Sequence, residues 1–459
     1  MKADGTMSNP LQQYLDLYRN HEQAITAGAP AAMNTLRLAA MKALAGAVLP
    51  RKGSEDYEAT DLAAVLAPDY GVNVLRRTFD ADVAQVFRCD VPNLSTHLYF
   101  CINDMYHPTR TALLHDQGGV VVETFRQAWQ RHRQLLVDHY GRLASLARPE
   151  VALNTRLAQD GLLVYVPDGV TAERPIQLVN ILQAAAPLLA VRRLLIVMGR
   201  DAHAQMLVCD HSQLPAEAAS LALSVVEVVA QENATFDFYD MEETTAANSR
   251  ISTICVEQHA GSNVLVDGIT LTNGFTRNNY HVEVNGEHAS TQLLGMTIAS
   301  GSQHVDTHTF IAHNAPRCHS NEMFKYVLND SAVGAFAGRI LVQPGCPRVE
   351  AYQGNRNLCA SSTARMYTKP QLEIYTDDVK CSHGTTIGQL NQEALFYMRS
   401  RGIGEEQAKT LLMQAFVADV VDAVRLESLR DRLRHLVEKR FSGSLASCGN
   451  CVSPCKITD

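Results

Sequence analysis

Ser252-Thr253-Ile254-Cys255-Val256, Asn263-Val264-Leu265-Val266, His281-Val282-Glu283-Val284, Thr307-His308-Thr309-Phe310-Ile311 and Ile340-Leu341-Val342 decide the fold. Each is a short apolar or alternating run, and turn residues such as Asn285-Gly286 and Ser300-Gly301 separate them. Alternation with a period of two offers one face of an extended chain to a core. Strands of about 5–7 residues, recurring every ~10–15 residues with no convincing helix between 251 and 342, predict an all-β architecture: sandwich, barrel or solenoid. A solenoid lets the Thr, Asn and His rows stack rung on rung, and it needs capping elements at its ends, which helical flanks can supply.

The same texture extends upstream through Leu194–Met198, Ile176–Leu182 and Leu162–Val166, the last before Pro167-Asp168-Gly169, and fades near residue 150. Before it, helical spacing dominates. Leu11, Tyr14, Leu15 and Tyr18 repeat after Pro10, Leu36, Leu38, Met41, Leu44 and Val48 repeat before Pro50, and a further helix is expected from about Val122 to Leu146. After His383 a helix is expected to begin at Gly402-Ile403-Gly404, with Leu411, Leu412, Ala415, Phe416, Val420 and Val424 along one stripe and Arg430, Arg432 and Arg434 late in it. The organisation expected is a mainly helical region at 1–150, a β core at 151–390, a helical region at 391–441 and a Cys-containing tail at 442–459.

Composition narrows the function. The 459 residues are 46% hydrophobic and 19% charged, enough to bury a large interior. The formal charge of −8, from 40 Lys+Arg against 48 Asp+Glu, argues against a nucleic-acid binder. No apolar run approaches the ~18 residues of a spanning helix, and the first residues lack a secretory pattern, so a cytoplasmic protein without a membrane partner is expected. The eleven cysteines then read as buried small hydrophobes or metal-linked thiols. The phosphate-binding G-x-x-x-x-G-K-[ST], the G-x-S-x-G elbow and the zincin H-E-x-x-H are all absent, which lowers the expectation of a stand-alone enzyme.

Four constellations carry chemistry. His304-Val305-Asp306-Thr307-His308, if extended, points two imidazoles and a carboxylate one way, which suits zinc or a hydrogen-bonded polar row. Cys381-Ser382-His383-Gly384 likewise projects Cys381 and His383 together, a thiol and an imidazole that suit iron or zinc. Lys380 would lower that thiol's pKa, and Asp377 and Asp378 would oppose it. Two donors cannot complete an iron–sulfur cluster, which takes about four, so this would be half a site finished by a partner. Cys448-x-x-Cys451-x-x-x-Cys455 has metal-ligand spacing on a tail without a packing pattern. The helix stripe from Leu411 to Val424 fits packing on the chain's own core or docking of a partner.

Tyr375–Gly388, with its Lys380-Cys381-Ser382-His383-Gly384 block, and Phe396-Tyr397-Met398-Arg399-Ser400-Arg401-Gly402-Ile403 with Ala408-Lys409 and Leu411-Leu412 resemble the SufD side of the SufB/SufD family of iron–sulfur cluster assembly proteins. Ala152–Thr155, Tyr165-Val166-Pro167, Ile176–Asn180, His308–Ile311 and Thr368–Ile374 extend the likeness over about residues 150–425, with an echo at Leu49-Pro50-Arg51-Lys52 that ends where Glu55-Asp56-Tyr57 stands in place of the family's Trp-Lys-Tyr. The resemblance implies a right-handed parallel β-helix core between helical ends. It implies a non-enzymatic scaffold in a complex with SufB and the ABC-type ATPase SufC, which would dock on the C-terminal helices around Arg399, Arg401, Gly402, Ile403, Leu411, Leu412 and Phe416. His383 matches the family histidine at the SufB–SufD interface and Cys381 its neighbour two residues upstream. No tightly bound cofactor is expected, only a transient iron–sulfur cluster at that interface. A homodimer of the isolated chain is left open. The alternatives are a SufB-like sulfur acceptor, a β-helix carbohydrate-active enzyme and a lone metal-binding module.

Overall fold

The structure is a computed structural model that describes residues 10–78, 96–107, 119–183, 186–212 and 219–442. Two ten-stranded sheets face each other, and from β5 onward successive strands alternate between them. One sheet runs in the order β4 (Val121–Thr124), β5 (Leu162–Val166), β7 (Leu188–Met198), β9 (Ser220–Ala230), β11 (Asn248–Gln258), β13 (Phe275–Val284), β15 (His304–His313), β17 (Val333–Val342) and β19 (Arg365–Ile374), with β1 (Gly71–Val72) beside β7. The other runs β3 (Met105–His107), β2 (His97–Ile102), β6 (Ile176–Leu182), β8 (His203–Ser212), β10 (Thr235–Glu243), β12 (Asn263–Thr272), β14 (Ser290–Ala299), β16 (His319–Leu328), β18 (Val349–Cys359) and β20 (Val379–Gly388). This is a parallel β-solenoid of about seven turns, one of the three architectures the alternating runs allow and the one the family resemblance implies. Its strands are longer than the 5–7 residues expected, because polar residues continue the ladder beyond each apolar run; β15, for example, spans 10 residues.

Register repeats rung by rung. Phe275 stands beside His304, His304 beside Val333 and Val333 beside Arg365. One corner is fixed by a recurring left-handed residue shortly before the next strand: Asp201, Asn233, Gly261, His288, Arg317 and Arg348 all have positive φ. That conformation suits Gly and Asn and is strained for Arg, so the stacked backbone hydrogen bonds of neighbouring corners must hold it. Asp201 N–H donates to the Glu232 carbonyl at 2.9 Å and Gly261 N–H to Glu287 at 2.8 Å.

Alternation sorts the side chains into three apolar clusters. The inward face fills the lumen with Ile196, Phe238, Ile254, Leu293, Phe324 and Phe336. The outer face of the first sheet packs against the N-terminal helices through Tyr14, Phe125, Leu153, Leu189, Leu223 and Ile251. The outer face of the second packs against the C-terminal helices through Leu265, Met296, Val417, Val420, Leu433 and Leu436. Burying each such Val or Leu contributes about 1.5–3 kcal/mol, which anchors the C-terminal pair firmly.

Several local expectations change. The helix expected over Val122–Leu146 is a strand, β4, followed by two short helices, Phe125–Arg131 and Arg133–His139, broken at His132. The Pro149–Leu157 helix precedes the first long strands. The C-terminal helix is two: Glu405–Ala423 and Glu427–Phe441, with Val424 and Leu426 extended between them. The break lets both helices lay apolar residues on the same sheet. The helices cover the faces of the solenoid rather than its ends. The last rung, β19 and β20, therefore has no element stacked on it among the described residues.

Candidate functional site at the last rung

Among the described residues β20 is an edge strand, paired with β18 alone. Val379, Cys381, His383, Thr385 and Ile387 alternate onto its lumen side, and Val379 and Cys381 reach the apolar core. In earlier rungs such positions are buried by the next strand. Here no strand follows among the described residues, so His383, Thr385 and Ile387 are exposed although they occupy lumen-facing positions. The mouth beside His383 is lined by small polar groups. Thr368 Oγ1 donates to Asn355 Oδ1 at 2.9 Å and lies 3.0 Å from Thr385 Oγ1, and Asn357 Nδ2 donates to the same oxygen at 2.6 Å. Apolar residues rim it: Tyr367, Ile374, Tyr375 and Ile387 are all at least 40% exposed.

Cys381 and His383 are brought together as expected, on one face and two residues apart, but in unlike settings. Cys381 is half-buried against the lumen, and burial raises its thiol pKa, partly offset by a backbone hydrogen bond at Ala351. Lys380 does not activate it. Its ammonium donates to Glu350 Oε1 at 2.7 Å on the outer face. His383 makes no hydrogen bond among the described residues. The two give a soft donor and an imidazole, short of a complete metal shell. No group of three or more His, Cys, Asp or Glu able to hold a metal occurs among the described residues.

The second candidate row proves structural. Val305 lies in the lumen core, so His304, Asp306 and His308 face outward, where the N-terminal segment covers them. Thr60 Oγ1 lies 3.2 Å from His304 Nε2 and donates to Asp306, Arg277 donates to Asp306 at 2.6 Å, and His308 Nε2 pairs with Asp56 at 3.2 Å. This is a hydrogen-bonded row rather than a zinc seat. The His308 partnership and nearby cations hold Asp56 down at about 2.

On the C-terminal helices, Arg399, Arg401 and Gly402 are exposed, Ile403 and Leu412 half-buried and Leu411 40% exposed. Phe416 is turned inward over Lys325, whose Nζ lies 5.0 Å from the ring centroid and donates to the Phe416 carbonyl at 2.6 Å. Phe396 and Tyr397, on the preceding helix Gln392–Ser400, are 74% and 60% exposed. Residues 448, 451 and 455 lie outside the described residues. Sequence reasoning missed Asn355, Thr368 and Thr385. Alternation from His383 reaches Thr385, but the cross-lumen meeting with Thr368 depends on the spacing of the two sheets. No helix among the described residues is long and apolar enough to cross a membrane.

Fold and site together define a class: a two-sheet β-solenoid, clad by helices on both faces, whose last rung carries an incomplete thiol–imidazole donor pair. Family comparison is decisive. The SUF system FeS cluster assembly, SufBD core domain, matches residues 180–416, and the SufBD protein N-terminal region matches 8–178. The chain belongs to the SufBD family of iron–sulfur cluster assembly proteins. It is 29% identical to an iron–sulfur cluster assembly SufBD family protein of Synechocystis over 91% of this chain and 94% of that one. It is 35% identical to SufD of Escherichia coli over 36% of this chain and 40% of that protein, and 24% identical to SufD of Bacillus subtilis over 95% and 99%. Family membership sets aside the carbohydrate-active alternative.

Proposed function

We propose that this chain is a non-enzymatic scaffold that works with a SufB-type paralogue and a SufC-type ATPase, and that a nascent iron–sulfur cluster is held transiently where its last rung meets the paralogue. The observation that carries this reading is His383: an exposed imidazole at a lumen-facing position of a ten-residue edge strand whose outer side is unpaired among the described residues. An open edge of this length is a template for another chain's strand, and a partner laid along it would bring its own donors beside His383 and Cys381. Iron and sulfide are cargo at that seam, not resident cofactors. The raised thiol of Cys381 favours a donor role that begins only once iron or a partner cation draws off its proton, and it disfavours the SufB-like reading in which this thiol accepts sulfur as a nucleophile. The absent phosphate loop fits a chain that borrows ATP from a partner. Phe396, Tyr397 and Leu411 are the surface on which that ATPase would dock, and the anchored Glu405–Ala423 helix would carry its motion to the sheet.

The test is His383→Ala in the co-expressed complex. Co-purification and thermal stability should stay unchanged, while iron and sulfide recovered anaerobically per complex should fall at least tenfold. Normal cluster content would remove the reading. Tyr397→Asp with Leu411→Asp should release the ATPase without lowering the melting temperature, and undiminished co-purification would remove the docking assignment.

A further inference from the structure

Behind His383 the lumen holds a ladder of side chains that the cluster-assembly reading does not use. Glu322 on β16, Gln353 on β18 and His383 on β20 are register partners in sequence, Glu322 beside Gln353 and Gln353 beside His383. All three occupy lumen-facing positions, so the Cβ atoms of neighbours are about 5 Å apart. Glu322 is 1% exposed and both its oxygens are engaged, with Thr309 Oγ1 donating to one at 2.5 Å and Gln353 Nε2 to the other at 3.0 Å. Burial raises the Glu322 carboxyl to about 7.

Gln353 is built into place. It is 3% exposed and its amide lies across the lumen over Gly338, where a Cβ would stand 2.5 Å from Nε2. Any residue but glycine at 338 would push that amide aside. With Nε2 committed to Glu322, the other end of the amide is fixed as an acceptor, and that oxygen, Oε1, is buried with no hydrogen-bond partner among the described residues. A buried unpaired carbonyl is costly and marks a place where a donor is missing. Its sheet neighbour toward the mouth is the imidazole of His383.

We propose that Gln353, held by Glu322, is a positioning residue for His383: its Oε1 accepts a hydrogen bond from one ring N–H of His383 when the mouth is closed by a partner, so that the other ring nitrogen presents its lone pair to incoming iron. This rests on the reading of His383 as an iron donor. The physics is that of outer-shell ligands generally. An imidazole whose second nitrogen donates to a carbonyl is fixed in tautomer and ring orientation, and loss of such a partner lowers metal affinity about 10- to 100-fold. Exposed in the free chain, the ring rotates and exchanges tautomers. Covered, it has one acceptor to find.

The experiment uses the anaerobic complex of this chain with its scaffold and ATPase partners and measures ferrous iron by equilibrium dialysis. Gln353→Leu should weaken iron binding about 10- to 100-fold. The exchange Gln353→Glu with Glu322→Gln, which keeps an acceptor oxygen at 353 and a donor between the two side chains, should stay within a few-fold of the parent. Glu322→Leu should follow Gln353→Leu, and Glu322→Gln should follow the parent. The double variant Gln353→Leu/His383→Ala should bind no worse than His383→Ala alone, because Gln353 acts through that ring. Gln353→Met repeats the first arm should leucine disturb assembly. Losses that add, or equal losses in Gln353→Leu and in the Gln353→Glu/Glu322→Gln exchange, would overturn the positioning role while leaving His383 as a donor. Unchanged iron binding in His383→Ala would instead overturn the scaffold reading beneath it.

Discussion

The two ends of the solenoid are finished differently. At the first, the ladders stop in short antiparallel strands: β3, of 3 residues, on β2, and β4, of 4 residues, on β5. Reversal of direction and shortness both blunt an edge against further pairing. At the last, β19 and β20 are 10 residues each, parallel, and unpaired on their outer sides among the described residues. Among the described residues the N-terminal segment reaches this end at Glu58, which meets Lys369 at 2.9 Å. A solenoid grows by adding like rungs, so an unblunted end keeps the geometry of a rung in waiting. The difference teaches where the chain expects company, and it predicts that the same insult has unequal effects at the two ends.

The largest expected effect comes from charging the apolar rim of the last rung. Ile374→Asp with Ile387→Asp places two carboxylates where two exposed side chains would be buried on association. Each lost burial costs about 1.5–3 kcal/mol, so partner affinity should drop roughly 100-fold or more, read by light scattering and co-purification. Leu75→Asp, at a still more exposed apolar residue of the N-terminal region, should leave association unchanged. Equal losses would break the comparison.

A second contrast sets the lumen's middle against its mouth. Arg250 is 4% exposed and meets Asp210 at 3.1 Å, Glu242 at 3.8 Å and also Asp240, while Arg192 meets Asp210 at 2.8 Å. Removing the central cation strands buried carboxylates, so Arg250→Ala should lower stability by about 3–5 kcal/mol in urea unfolding. Thr385→Ala at the mouth, where water can replace the lost hydroxyl, should cost less than about 0.5 kcal/mol. A mouth variant as costly as the central one would mean that the last rung is structural rather than open.

Much of this was legible in the sequence. Alternation in runs such as Val264–Val266 and His281–Val284 gives the strands, and the Lys380–Gly384 block gives the donor pair. What stayed hidden is set by stacking rather than by local pattern. The corner residues Asp201, Asn233, Gly261, His288, Arg317 and Arg348 share a conformation but no chemistry, because the neighbouring rung and not the residue imposes it. The polar row at His304, Asp306 and His308 looks like a metal seat until the Asp56–Thr60 segment, over 240 residues away, is laid on it. The long C-terminal helix reads as one stripe because Leu426 and Val424 carry no breaker signal, and the bend shows only once both helices lay their apolar residues on the same sheet. Gln353 and Glu322 are equally silent, since 31 residues separate them along the chain and one rung in space.

The smallest effect separates buried carboxyls from buried imidazoles by pH. Burial raises Glu322 to about 7, Asp267 to about 7 and Glu242 to about 8, whereas it lowers His304 and His308 and brings His313 to about 4. The two sets act with opposite sign. A carboxyl raised on folding binds more protons in the folded state, so its contribution is fully present below the unfolded value near 4.5 and is lost as pH climbs through 7. A histidine lowered on folding binds fewer, so its contribution is present above about 6.5 and is lost as pH falls toward the folded value. Stability should therefore peak between, declining on both sides. Glu322→Gln removes one titration from the alkaline limb and keeps the carbonyl that Gln353 needs. Relative to the parent it should gain stability on the order of 1–3 kcal/mol at pH 8, with the difference shrinking steadily toward pH 4.5. Because Glu322 sits two strands from the open edge, that alkaline loss should concentrate near the last rung, and amide hydrogen exchange in β18 and β20 should slow at pH 8 in the variant while exchange in β8 and β10 stays at parental rates. Uniform slowing along the whole solenoid would show instead that the ends do not open independently of the middle.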